Sequence, residues 1–407
     1  MNKINELIKK MCPNGIEYRK IGEITNYEQP SRYIVKSTDY NDDFSIPVLT
    51  AGQTFILGYT NETEGIYHAT KNNPVIIFDD FTGAFKWVDF SFKVKSSAMK
   101  MITTKEDVLI RYLYHLMEFV NYSSDEHKRL WISTYSELKV PVPPLEVQRE
   151  IVRVLDSFTL LIAELIAELT ARKKQYDFYR DKMLNFGDKA KIYKICELCE
   201  SIADGDHMPP PKSSEGIPFI TISNIDQYHN IDFENTMHAP ESYYNSLAEK
   251  RKARKGDILY TVVGSYGMPV CIEDDKKFIF QRHIAILRPN KDIIKTRYMF
   301  HAMQSTDFKI QADKSAKGAA QKTIALSALG EMKMSVPSID VQEKIIKVLD
   351  NFEAICTDLN IGLPAEIEAR QKQYEYYRDL LLTFAEKGDM LLTDGRTDGR
   401  TDRSDQS

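Results

Sequence analysis

Two Glu-x-Lys triplets, Glu137-Leu-Lys139 and Glu331-Met-Lys333, are the residues of this chain that could serve a metal-dependent nuclease. Such a site needs a further carboxylate from a neighbouring strand to hold Mg²⁺. No acidic residue precedes either triplet at a suitable spacing, and each stands just before a Val-Pro that opens a helical block, so surface charge is the expectation. Cys196-Glu-Leu-Cys199 is a lone CxxC; a zinc ribbon needs a second pair, and spacing i, i+3 simply shares a helix face. Gly264-Ser-Tyr-Gly267 is too short to cradle a dinucleotide and reads as a turn. Asp206-His-Met-Pro-Pro-Pro211 has the wrong order for the Asn/Asp-Pro-Pro-aromatic loop of a DNA amino-methyltransferase. GxxxxGK[ST] and HExxH are both missing, and the eight histidines are scattered. The expectation is a chain without catalytic residues, metal or cofactor.

The elements that would position any site are announced by a repeat. VPPLEVQREIVRVLDSF (142–158) matches VPSIDVQEKIIKVLDNF (336–352), and ARKKQYDFYRDKMLNF (171–186) matches ARQKQYEYYRDLLLTF (369–384). Upstream, Arg111-Tyr-Leu-Tyr-His115 matches Arg297-Tyr-Met-Phe-His301, and Lys20-Ile-Gly-Glu-Ile24 matches Lys194-Ile-Cys-Glu-Leu198. Four blocks in shared order, with drifting offsets between them, mean a duplicated unit whose middle has diverged.

The best-conserved blocks are helical. Steps of four and three from Ile151 pass through Leu155, Phe158, Ile162, Leu165, Leu169, Arg172, Tyr176, Tyr179, Met183 and Phe186, an apolar seam of coiled-coil length broken only by Arg172. The second copy keeps the seam at Ile345, Leu349, Phe352, Cys356 and Leu359 and resumes through Ile367, Arg370, Tyr374, Tyr377, Leu381 and Phe384. Between them Gly362-Leu-Pro364 predicts that one helix ends and another begins. Matching stripes predict an antiparallel pair, one helix from each repeat, with parallel self-pairing in a dimer as the alternative.

Residues of about 15–140 and 190–335 show short β-rich runs such as Pro74-Val-Ile-Ile-Phe78 and Asp257-Ile-Leu-Tyr-Thr-Val-Val263, each half closing with a helix near 106–120 and 292–305. The fold class is therefore α+β: two similar globules separated by a pair of long antiparallel helices with pseudo-two-fold internal symmetry. The expected divisions are 1–144, 145–187, 188–335, 336–386, and a low-complexity, disordered tail at 387–407.

Composition narrows the class without naming a partner. The 407 residues are 43 % apolar and 28 % charged, ordinary for a folded domain. Five cysteines without a secretion signal suit reduced thiols, and the apolar stretches are shorter than a membrane span, so the cytoplasm is expected. Net charge is −5; residues 1–144 carry 17 basic against 18 acidic groups and 188–330 carry 20 against 18. Charge alone does not suggest nucleic acid.

The repeated blocks do. Two variable globules, each followed by an x-x-Q-x-x-I-x-x-[VI]-L-D-x-F helix and an A-R-[KQ]-K-Q-Y-x-[FY]-Y-R-D block, resemble the specificity subunit of a type I restriction–modification system over residues from about 15 to 385. The resemblance implies two target recognition domains reading a bipartite, asymmetric double-stranded DNA site. It also implies docking of two modification (methyltransferase) subunits and two restriction (translocase/endonuclease) subunits, which would use S-adenosylmethionine, ATP and Mg²⁺. Ile162-Ala-Glu-Leu165 followed by Ile166-Ala-Glu-Leu169 is similar to the tetrapeptide repeats with which such proteins set the gap between half-sites. The competing readings are a metal-dependent endonuclease acting alone through the Glu-x-Lys pairs, and a coiled-coil adaptor that never binds DNA.

If DNA is the ligand, polar loop residues are the candidates. In the first half these are Gln53, Lys86 with Trp87, Lys95 to Ser97, and His127, Lys128 and Arg129. In the second they are Asn224, Ser265, Tyr266, Gln281, Arg282, His283, Lys317, Gln321 and Lys322, since Arg and Gln suit bidentate contacts to guanine and adenine. Arg251 and Lys252, in the basic run Lys250–Lys255, suit phosphates.

Overall fold

The period-two and heptad patterns become two sheet-and-helix units tied into long helices. The computed structural model describes residues 2–52, 54–122, 129–205, 209–319, 321–358 and 360–383. Unit 1 takes the chain up to Ala163 and again from Ala369; unit 2 is Glu164–Glu368. Both borders cut through helices, and the first falls inside the tetrapeptide Ile162–Leu165.

In unit 1 the strands run β1 (Tyr18–Lys20), β2 (Thr25–Glu28), β3 (Ile46–Leu49), β4 (Ile56–Thr60), β5 (Tyr67–His68), β6 (Val75–Asp79), β7 (Phe85–Val88), β8 (Ser91–Val94), β9 (Met99–Thr104) and β10 (Lys139–Pro141). They form sheets of order β2-β9-β6-β7 and β4-β3-β8-β5, plus the ribbon β1-β10. Unit 2 repeats this with β11 (Lys191–Lys194), β12 (Cys199–Asp204), β13 (Ile217–Ile220), β14 (Met237–Ala239), β15 (Ile258–Thr261), β16 (Pro269–Cys271), β17 (Ile279–Phe280), β18 (Ile284–Pro289) and β19 (Lys333–Val336). Its sheets are β12-β18-β15-β16 and β14-β13-β17, with the ribbon β11-β19. The parallel pair β3–β8 has its counterpart in β13–β17, so the topology is duplicated even where the sequence is not.

β6 shows why such runs are continuously apolar: Ile76 and Phe78 face one core and Val75 and Ile77 the other, all four fully buried. β15 does the same with Ile258 and Tyr260 on one side and Leu259 on the other.

The closing helices are Ile110–Val120 and Thr296–Met303, shorter at their starts than the sequence pattern suggests. A buried glutamine from each conserved block accounts for the difference. The Gln148 Oε1 accepts from the Leu109 N–H at 2.9 Å while its amide donates to the Asp107 and Pro143 carbonyls. Gln342 repeats this with the Lys295 N–H and the Ile293 and Pro337 carbonyls. The orphan groups at each helix start are thus satisfied from the neighbouring block.

The first conserved block is one continuous helix, Leu145–Leu184, of 40 residues. The second breaks into Ile339–Thr357 and Leu363–Leu382 at the Gly-Leu-Pro signal, with Pro364 in the first turn. The seam is filled within the chain. In unit 1, Leu155 is fully buried, Phe158 stacks on Tyr377 at 5.2 Å, and Ile162 packs against the same core. In unit 2, Tyr179 stacks on Phe352 at 5.6 Å and Leu349 is fully buried. Cys356, one turn beyond Phe352, feels the charges of Arg172 and Lys173, so the two segments run antiparallel. Leu165 and Leu169 are half-buried, whereas Ile166, off the seam, keeps 49 % of its surface. Among the described residues no helix is long and apolar enough to cross a membrane.

Candidate nucleic-acid interface

Three segments distant in sequence meet at one end of the main sheet of unit 2: the β15–β16 loop (262–268), the β17–β18 turn (281–283) and residues 316–319 with 321–325. The Val262 N–H donates to the His283 carbonyl at 2.9 Å, Ile324 N–H to Val262 at 2.8 Å, and Gly264 N–H to Lys322 at 2.9 Å. Gly205, just past β12, closes against the turn so tightly that a Cβ there would stand 2.1 Å from the Phe280 carbonyl oxygen. The loops enclose a cavity of about 330 Å³ lined by Asp204, Val262, Arg282, His283, Gln321 and Ile324, among others.

Unit 1 gathers the equivalent segments around a buried ion pair that sequence reasoning missed. The Lys100 Nζ lies 2.8 Å from Asp80 with both side chains excluded from solvent. The Asp80 N–H donates to Ala98, its carbonyl accepts from Leu130 and its carboxylate from the Trp131 N–H. A carboxylate and an ammonium buried together hold the β6–β7 loop, the β8–β9 turn and the short helix that begins at Leu130. Neither residue stands in a motif, and only the pairing of β6 with β9 brings them together.

Of the residues singled out above, Arg282, His283, Gln321, Gln281, Ser265, Lys317 and Lys322 lie on the three loops of unit 2, and Lys95, Ser97 and Arg129 on those of unit 1. Ser97 and Arg129 are exposed, and the Lys95 ammonium sits 5.9 Å from the Tyr40 ring. Gln53, His127 and Lys128 fall outside the described residues. Several other candidates already have partners within their unit. Trp87 packs edge-on to Tyr114 at 5.9 Å under the guanidinium of Arg111; Lys86, exposed on the same strand, supplies no cation to that ring. Asn224 is buried, accepting from Thr221 and donating to the Asn235 carbonyl. The Tyr266 hydroxyl donates to Asp313 at 2.8 Å. Arg251 pairs with Asp204, and Lys252 and Arg254 with Glu249, so much of the basic run is neutralised within unit 2.

Each unit is locked to the helices by a buried histidine. His115 meets the Tyr374 hydroxyl at 3.0 Å and Asp156 at 2.8 Å, and Arg111 donates to the same aspartate. His301 meets the Tyr176 hydroxyl at 2.9 Å and Asp350 at 2.7 Å, with Arg297 on that aspartate. In both units the tyrosine comes from the other repeat's Lys-Gln-Tyr block. The remaining acid has changed sides: Glu118 on the closing helix of unit 1 accepts a hydrogen bond from the Tyr374 hydroxyl, whereas Glu353 on the conserved helix of unit 2 accepts one from Arg297. The position equivalent to Glu118 holds Gln304, and that equivalent to Glu353 holds Thr159. His301, Asp350 and Glu353 place ligand atoms within 4.8 Å of one another, but Arg297 already bonds both carboxylates and occupies the place a cation would take. Glu137 and Glu331 are likewise paired, with Lys20 and Lys194 at 2.6 and 2.7 Å, each bracing its ribbon.

Burial holds the imidazoles of His301 and His229 below their ordinary value of 6.5. The unfolded chain then binds protons that the folded one refuses, so unit 2 loses stability as pH falls through about 6.5 and keeps it above. His229 has φ +66°, a conformation asparagine adopts readily, and its Nδ1 lies 2.7 Å from the Pro269 carbonyl. His229→Asn should leave the melting temperature at pH 7.5 nearly unchanged and reduce its fall between pH 7.5 and 5.5, which is expected to be on the order of a few degrees. An identical fall in the variant would refute the assignment.

Known proteins share this organisation. A family model described as the type I restriction modification DNA specificity domain matches residues 13–171 and again 188–369. The specificity subunit of the type I restriction enzyme EcoR124I/EcoR124II of Escherichia coli is 40 % identical over 410 residues, covering 94 % of this chain and 98 % of the relative. A putative type I restriction enzyme specificity subunit of Haemophilus influenzae is 28 % identical over 93 % of this chain and 98 % of its own length. The crystal structure of a type I restriction-modification system S subunit from M. genitalium superposes with a TM-score of 0.55 at 14 % identity over 91 % of this chain and 97 % of that one, a likeness of fold. Matched twice along its length, once per repeat, the chain belongs to the type I restriction–modification DNA specificity family.

Proposed function

We propose that this chain is the non-catalytic, sequence-reading subunit of a cytoplasmic type I restriction–modification assembly, each unit reading one half of an asymmetric bipartite duplex with the loop end of its sheet. The observation that carries this reading is duplicated topology with unlike loops. The β8–β9 turn of unit 1 offers Lys95-Ser96-Ser97 where the β17–β18 turn of unit 2 offers Gln281-Arg282-His283. Equal scaffolds carrying different polar edges suit two different half-sites. Two modification subunits would supply methyl transfer from S-adenosylmethionine, and two restriction subunits the ATP- and Mg²⁺-dependent steps; this chain holds no cofactor. Phosphate neutralisation then falls largely to the partners, which suits a net charge of −5.

The test is co-expression with the methyltransferase subunit and sequencing of methylated DNA. Exchanging residues 188–335 for the corresponding segment of another specificity subunit should change one half of the motif and leave the other half intact. A motif indifferent to that exchange would overturn the reading.

A further inference from the structure

We propose that Arg282 reads a guanine in the half-site belonging to unit 2, with Gln321 beside it on the same cavity; the inference rests on the reading above and sharpens it to a base. The guanidinia of unit 2 are otherwise committed. Arg172 pairs with Glu168, Arg180 with Asp177, Arg251 with Asp204, Arg254 with Glu249, Arg288 with Asp257, and Arg297 with Asp350 and Glu353. Arg282 has no ion pair or side-chain hydrogen bond to any described residue, and it stands exposed at the rim of the 330 Å³ cavity.

Its backbone, by contrast, is held. The Ile284 N–H donates to the Gln281 carbonyl at 3.0 Å, the Gln281 N–H to Ile220 at 3.2 Å, and the Val262 N–H to the His283 carbonyl at 2.9 Å. Free donors on a fixed turn are what base-edge reading requires, because the fork of a guanidinium matches the O6 and N7 acceptors of guanine. Asp204, the carboxylate on the same cavity, already faces Arg251. Gln321 is exposed, and its Nε2 would lie 3.3 Å from a Cβ at Gly264. Glycine there leaves the amide room, and its φ of +70° disfavours any larger residue. Lys317 and Lys322 flank the cavity as exposed cations suited to the adjoining phosphates.

The experiment uses the full chain assembled with its methyltransferase subunits and compares the methylated motifs of wild type, Arg282→Ala, Arg282→Lys and Gln321→Ala. The expected result is a guanine in the half-site that follows exchange of residues 188–335. Arg282→Ala should relax discrimination at that guanine alone, by about 5- to 150-fold, the usual strength of a bidentate pair. Arg282→Lys should retain part of it, and Gln321→Ala should relax a neighbouring position. Because Arg282 is exposed and unpartnered, the melting temperature should not move. Three outcomes overturn the inference: a half-site without guanine, an unchanged motif in Arg282→Ala, or uniformly weaker methylation with the motif intact, which marks a phosphate contact. If the segment exchange changes the motif and Arg282→Ala does not, only this inference fails. If the exchange changes nothing, the underlying reading fails with it.

Discussion

Deleting Ile166–Leu169 should shorten the spacer of the methylated target by about two base pairs while both half-sites keep their sequences. Four residues are about 6 Å of α-helix, close to two base-pair rises of about 3.4 Å. The segment lies inside the continuous helix Leu145–Leu184, and the division between the compact units falls at Ala163/Glu164, within the first tetrapeptide. The deletion removes one seam residue, Leu169, and three exposed ones, Ile166, Ala167 and Glu168, and four residues turn the helical face only slightly. Both flanking cores stay intact. On the original target one half-site is out of register, and losing several base contacts at 1–3 kcal/mol each should lower methylation on the order of 100-fold or more. Sequencing methylated DNA from cells expressing the deleted chain with its methyltransferase decides the matter. An unchanged spacer would sink the ruler reading.

Arg297→Ala should destabilise unit 2 by about 3 kcal/mol, clearly more than Arg111→Ala destabilises unit 1. Arg297 serves two carboxylates, Asp350 and Glu353, the latter with only 12 % of its side chain exposed. Burial alone would raise the Asp350 carboxyl, yet the hydrogen bonds from His301 and Arg297 hold it below its ordinary value. Removing the guanidinium leaves both anions facing each other beside a buried, neutral imidazole. Arg111 has lighter duty, bonding Asp156 and reaching the Thr159 hydroxyl at 3.5 Å. The figure stays at the low end of the range for broken buried pairs because Asp350 keeps 38 % of its side chain in solvent. Urea unfolding followed by hydrogen exchange resolves the units separately. Adding Glu353→Thr, the residue unit 1 carries at that position, should recover much of the loss. Equal costs in the two units, or no recovery, would show that the displaced acid carries no weight.

That displaced acid illustrates what was legible and what was not. The long helices, their seam through Leu155, Phe158, Tyr176, Tyr179, Leu349, Phe352, Tyr374 and Tyr377, and the break at Gly362–Pro364 follow from spacing along the chain, and the structure places them accordingly. The partners of His115 and His301 do not follow from it. Tyr374 lies 259 residues from His115, and Tyr176 lies 125 from His301. The repeat aligned each histidine with the other without indicating that each would reach across to the tyrosine of the opposite copy. The internal contacts of Trp87 and Asn224 are hidden from the sequence for a related reason. A polar or aromatic residue on a loop or edge strand looks available until the contacts of Arg111, Tyr114, Thr221 and Asn235 are known.

Local periodicity therefore determined the duplication, the helical seam and the α+β class, because each depends on residues a few positions apart or on whole blocks repeated in order. Tertiary structure alone decided which charges remain unspent. Eight arginines and lysines of unit 2 looked alike as candidates or near-candidates, and only folding showed Arg251, Lys252 and Arg254 paired off while Arg282 was left free at the cavity rim. Whether a charge is available is set by the nearest opposite charge in space, and that neighbour is chosen by the pairing of strands and the closing of loops, not by its place in the chain.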